Sequence, residues 1–286
     1  MQSSNDTEIE QARQEAEAEG PPIDQRAEAV EEHSRLKAVS VYEIIQREGL
    51  GELARGFPAL WWSGLAAGIA IGFSVVAEAL LASHLPPTSW RPLVENFGYS
   101  VGFLIVILGR QQLFTENTIT PVLPIMARFS IESLRSMLKL WAIVLVANLA
   151  GTMIAVVFAD LGALLSAEQL ESMRAVSREA VAGKAAGNVF LSAIPAGFYI
   201  AALVWMLPSS KGFEFWVILM VTWIIAIGDF AHVIVGSAEA FLLLVNGELG
   251  IVAAFGGYLL PALAGNIIGG TALFSALAYA QVREEI

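Results

Sequence analysis

Six ionisable side chains, Glu78, Arg110, Glu116, Asp229, His232 and Glu239, stand inside long apolar stretches of a 286-residue chain. Charge at bilayer depth is costly and is kept where it pairs, faces water or serves a function. His232 is the first candidate for chemistry. It falls about halfway along an apolar run, directly after Gly228-Asp229-Phe230-Ala231, and desolvation there favours the neutral imidazole. A neutral ring can donate a hydrogen bond to an anion or lend it a proton. Either act meets the same obstacle: a bare anion loses most of its hydration in hydrocarbon, whereas a protonated weak acid passes an apolar constriction. The structural alternative is an imidazole that bonds freed backbone across a helix break.

Arg110 with Glu116 or Asp229 forms either an ion pair pinning a loop or, in the functional alternative, a fixed positive charge attracting an anion. Arg178 and Lys184 follow the third apolar stretch, where they could steer anions inward or simply form a solvated pair. Other chemistries lack their residues. There is no cysteine, and histidine occurs only at 33, 84 and 232, so thiolate sites, disulfides and cofactor ligation are not expected. Phosphate-loop, His-Glu-x-x-His and Gly-x-Ser-x-Gly patterns are missing. Nucleic-acid binding would need a basic patch, and the long polar segment is acidic.

The elements that position these groups read as membrane helices. The chain is 56% hydrophobic and 15% charged, which soluble domains of this size do not show. Apolar stretches long enough to cross about 30 Å of hydrocarbon run over 58–83, 94–126, 137–163, 186–208, 213–245 and 251–281, with Trp61, Trp62, Trp90, Trp141, Trp205 and Trp216 near their ends. Residues 1–38 are polar and acidic and are expected to be a disordered tail. Residues 39–56 suit an amphipathic surface helix, with Ser40 and Glu43 as a capping box, Val41, Ile44 and Ile45 as its apolar face, and an end near Gly49 or Gly51. Residues 57–283 then form the six-helix domain. The short flanks on the side of the termini carry Arg47, Arg55, Arg128, Arg135, Lys139, Lys211 and Arg283, against Arg91, Arg174, Arg178 and Lys184 opposite. This bias puts both termini in the cytoplasm of a multi-pass protein.

Segments two and five are interrupted. The second meets Gly109 to Asn117, then Pro121 and Pro124; the fifth breaks at Gly228 to His232 and again at Gly236-Ser237-Ala238-Glu239. Broken helices persist only where protein or a water path satisfies the backbone. They fall at matching places of two three-helix halves, as in an inverted repeat with its site at the midplane. Segments three and six echo each other too, Asn148 with Gly151 beside Asn266 with Gly269 and Gly270, small residues that allow close packing while each Asn bonds a neighbour. The two breaks bring His232 and Thr115 forward as a central polar site.

With these residues in place the chain resembles the formate/nitrite transporter family. Leu113-Phe114-Thr115 is similar to that family's Leu-Phe-Thr signature in the second helix, Gly228 to His232 to its Gly-Phe-Glu-His signature, and Gly265 to Gly270 to its Gly-Asn-Ile-Ile-Gly-Gly element, in order over residues 40–283. The resemblance implies an all-α, aquaporin-like fold, a homopentamer in the bacterial inner membrane with one pore per protomer, and small monovalent anions such as formate or nitrite as substrates. It implies apolar collars around the central His at Tyr99, Phe103 and Ile225, joined by Leu113 and Phe114. The departures are Gln112 and Ala231 where the family carries acidic residues, Gly236 where it carries Asn, and Gly197 in the fourth helix. The expectation is an anion channel or transporter without catalysis or cofactor. The rivals are an aquaporin-like pore for neutral solutes and a membrane scaffold or sensor acting through the acidic tail.

Overall fold

The apolar stretches become helices in the computed structural model, which describes residues 35–161 and 165–286. The tail expected over residues 1–38 lies, up to residue 34, outside the described residues. Ala38–Ile286 folds as one unit. Its first helix, α1 (Ala38–Leu53), starts before Ser40 and runs past Gly49 and Gly51. Ser40 is therefore inside the first turn instead of capping it, and Gly49 is no stop signal. A Cβ at Gly49 would collide with the backbone of Thr120, so this glycine marks a crossing. Val41, Tyr42 and Ile45 are buried against Ile119, Leu123, Val204 and Val282, while Ile44 stays exposed.

The spanning segments follow as α2 (Phe57–His84), the short α3 (Arg91–Glu95) leading into α4 (Ser100–Leu108), α5 (Val122–Ala127), α6 (Ile131–Leu161), α8 (Ala186–Met206), α9 (Glu214–Ile227), α10 (Val233–Val245) and α11 (Ala253–Val282). Between α6 and α8 lies α7 (Ala167–Val181), begun by a capping box of Ser166 and Gln169. Among the described residues, five stretches are long and apolar enough to cross a membrane alone. The fifth segment is split into α9 and α10, of 14 and 13 residues, each shorter than the roughly 20 residues a crossing needs. Within α11, wide π turns occupy Ala253–Leu259 and Ile268–Ser275, the first directly before Pro261, which cannot donate to the preceding turn.

Close packing pairs α2 with α6 and α8 with α11. Side chains at Gly68 and Gly197 would strike the backbones of Asn148 and Asn266, and side chains at Gly151 and Gly269 would strike the carbonyls of Leu65 and Ile194. Lipid offers no hydrophobic drive to helix pairing, so such approach supplies the packing energy. The absence of a side chain at Gly197, one of the departures, is what lets α11 lie against α8.

One further feature differs from the sequence expectation. The second interruption at Gly236–Glu239 does not occur: α10 is continuous, Gly236 N–H donates to His232 O at 2.8 Å, and the Ser237 hydroxyl donates back to Ile234 O at 2.7 Å. Gly236 is small because the Tyr258 ring fills the space of a side chain there. Trp141 is half-buried, its indole N–H donating to Asn117 O at 2.8 Å and its ring meeting Phe114 edge-on.

Candidate functional site

Helices α4 and α9 end in the same turn. After Leu108, Gly109 N–H and Gln111 N–H return to Ile105 O and Val106 O, both at 2.9 Å. After Ile227, Gly228 N–H and Phe230 N–H return to Ile224 O and Ile225 O at 2.9 and 3.1 Å. Both turns force a non-glycine residue into the left-handed region, Arg110 at φ 52° and Asp229 at φ 49°, a conformation costing about 1 kcal/mol or more. Beyond each turn the extended backbone hangs on one asparagine. Asn148 accepts from Phe114 N–H at 2.9 Å and donates to Gly64 O and Gln112 O at 2.8 and 2.9 Å. Asn266 accepts from Val233 N–H at 2.9 Å and donates to Ala193 O and Ala231 O at 2.8 and 2.9 Å. Freed backbone groups are thereby satisfied without water.

Where the two breaks meet, Thr115 Oγ1 and His232 Nε2 lie 2.8 Å apart, both buried. His232 caps α10: its Nδ1 accepts from Val235 N–H at 3.3 Å. A neutral ring whose Nδ1 accepts carries its proton on Nε2, so Nε2–H donates to Thr115. The imidazole stands edge-on to Phe103 at 5.1 Å, and Tyr99 stacks on Phe103 at 5.4 Å. Tyr99 and Ile225 line a cavity of about 200 Å³ that reaches His232 from the α7 side. Leu113 and Phe114 are buried but belong to neither cavity wall, and Phe114 turns to Trp141.

On the other side a cavity of about 270 Å³ opens between α1 and the first break. Its polar network was not foreseen, because Glu48 and Glu52 stand on a helix that reads as separate from the pore. Glu52 accepts from the Thr120 hydroxyl at 2.6 Å and from the Gln112 amide at 3.3 Å, and Gln112 in turn accepts from Asn117 at 3.1 Å. Burial holds the Glu52 carboxyl above the usual carboxylate range, opposed by those two hydrogen bonds. An amide at 112 both donates and accepts, which a carboxylate in its place could not do.

The charged candidates pair differently from expectation. Arg110 bonds Glu48 of α1 at 2.7 Å, not Glu116 or Asp229, because its left-handed turn directs the side chain outward. Glu116 lines the α1-side cavity. Asp229 is held by Lys184 at 2.6 Å. Arg178 is engaged by Glu248 and, at 2.9 Å, by Glu171; its hydrogen bond to Glu248 pulls that carboxyl below the usual range and raises the guanidinium. Lys184 and Arg178 are thus neutralised in pairs, which removes most of the charge that steering would use.

Residues 39–280 match the family model described as formate/nitrite transporter. The chain is 36% identical over 272 residues to the inner membrane protein YfdC of Escherichia coli, across 95% of this chain and 87% of that protein. It is 26% identical over 253 residues to YrhG of Bacillus subtilis, an uncharacterized transporter, across 85% and 92%. In fold it is similar to a pentameric formate channel with formate bound, at a TM-score of 0.67 and 19% identity over 80% of this chain and 98% of that one. An FNT family ion channel aligns at a TM-score of 0.72 and 18% identity over 85% and 99%.

Proposed function

This chain belongs to the formate/nitrite transporter family, and from that premise we propose that it is a multi-pass membrane channel for small monovalent anions of weak acids, formate and nitrite among them. Thr115 and His232 form its central polar site. The observation that carries this is the 2.8 Å contact between these two side chains where two interrupted helices meet, beside a cavity that reaches the imidazole. An anion entering there finds a donor already polarised toward it: Nε2–H can leave Thr115 for a substrate oxygen, and the Thr115 hydroxyl can follow. That exchange replaces hydration lost on leaving water. Tyr99, Phe103 and Ile225 form the apolar collar on the α7 side.

The assembly is a homopentamer by analogy with the pentameric formate channel whose fold the chain shares. The α1 side, which carries most of the flanking Arg and Lys, faces the cytoplasm. Residues 1–34 are acidic in sequence, and transport is expected to persist without them.

Flux of formate, nitrite, lactate, acetate and hydrosulfide into proteoliposomes, at an acidic and a neutral pH, tests the assignment. His232→Asn is expected to abolish flux or its pH dependence. Unchanged flux at every pH removes the imidazole from the pathway.

A further inference from the structure

The carboxyl groups of Glu78 on α2 and Glu239 on α10 take no part in the Thr115–His232 pair, yet both line the cavity that leads to it. They are 6% and 5% exposed. Oε2 of Glu78 is buried in that wall without a hydrogen-bond partner. A carboxylate so placed is tolerated only if it is paired or neutralised. Among the described residues no Lys or Arg lines this cavity. On this side Lys184 is held by Asp229, and Arg91, on α3, is held by Glu95 at 2.6 Å. The other titratable groups facing the pair are Glu179 from α7, Tyr99, Tyr258 from α11, and His232; none of them supplies a fixed positive charge. The cavity is therefore lined by carboxyls, a poor entry for a bare anion and a good one for a proton.

We propose that Glu78 and Glu239 form a proton-loading site in the α7-side cavity, which holds one proton and passes it to an incoming weak-acid anion ahead of His232. This rests on the anion-channel function above. The step is balanced: the carboxyl O–H breaks, an O–H forms on the substrate, the site is left as carboxylate, and solvent refills it past Glu95 and Glu179. The undissociated acid then crosses the collar of Tyr99, Phe103 and Ile225 and meets an imidazole that need not charge.

Two measurements on the full-length protein test this. Infrared difference spectra recorded while pH is raised report the carbonyl stretch of a protonated carboxylic acid. The band is expected at neutral pH in the wild type, and the part of it due to this pair is expected to vanish in the double variant Glu78→Gln with Glu239→Gln, each change being isosteric. In proteoliposomes the double variant is expected to lose formate flux by roughly a hundredfold at neutral pH, the lower end of what a positioned proton donor contributes, and to lose its acceleration by external acid. No protonated band in the wild type overturns the proposal, as does sodium-dependent flux without the band, which would put a cation there. Wild-type flux that the double variant retains in rate and pH dependence overturns it equally. A band present in a protein that moves no anion supports the proton site and sinks the channel function instead.

Discussion

The first interruption occupies residues 109–121 and the second only 228–232, yet each opens with a glycine, a left-handed residue and an asparagine that clasps the strand beyond. Counting from the left-handed residue, the asparagine takes its carbonyl two positions on and its N–H four positions on in both halves. The two breaks share one backbone arrangement and carry different side chains. The longer break gives Thr115, and also Gln112 and Thr120, which reach Glu52 of α1, with Asn117 bonded to both. The shorter break gives His232, and the charge beside it, Asp229, is tied to Lys184. A repeated scaffold can thus make a site from unlike groups, provided that the scheme satisfying the freed backbone is untouched.

The largest test of this likeness removes the clasps. Asn148→Ala and Asn266→Ala each strand one N–H and two carbonyls, and each is expected to cost about 2–4 kcal/mol, read as matched falls in the unfolding midpoint of purified protein. Widely different losses would break the equivalence. Next come Gly68→Ala and Gly197→Ala, where a new methyl meets the backbone of Asn148 or Asn266. Overpacking of about 1–3 kcal/mol is expected at both, and a cost at only one would show that one helix pair is free to shift.

Glu52 sharpens the difference between the halves, since the second break has no such partner. Its carboxyl is raised in the fold, so the unfolded chain releases its proton first as pH rises. Stability owed to Glu52 is therefore present in acid and lost as pH climbs through its raised value. Glu52→Gln is expected to narrow that decline, and identical stability profiles for variant and wild type would remove Glu52 as its cause. The smallest effect is expected at the left-handed residues: Arg110→Gly and Asp229→Gly each relieve about 1 kcal/mol of strain and forfeit a pair worth about 0–1 kcal/mol. Both should unfold within about 1 kcal/mol of wild type, and a large loss at either would mark its ion pair as structural.

Much of this was legible in the amino-acid order. Pro121, Pro124 and the ionisable residues after Gly109 and Gly228 mark the interruptions, because helices in hydrocarbon do not carry them idly. Asn148 and Asn266 stand out by their small neighbours. The partners were not legible. Arg110 finds Glu48 because of a backbone angle, and Glu78 and Glu239 line one cavity because α2 packs against α10; neither has a local signal. Gly236–Glu239 reads like a break but is one turn of α10, its glycine spent on the Tyr258 ring. The start of α7 was readable as Ser166 with Gln169, although its low hydropathy drew no attention beside the spanning stretches.

Because the far nitrogen of His232 is occupied by the amide of Val235, the ring is fastened to the start of its own helix. It cannot turn over to carry a load from one face of the bilayer to the other. On the proposed function, the substrate comes to the imidazole and leaves it behind, so the ring stays in place and only the cargo moves.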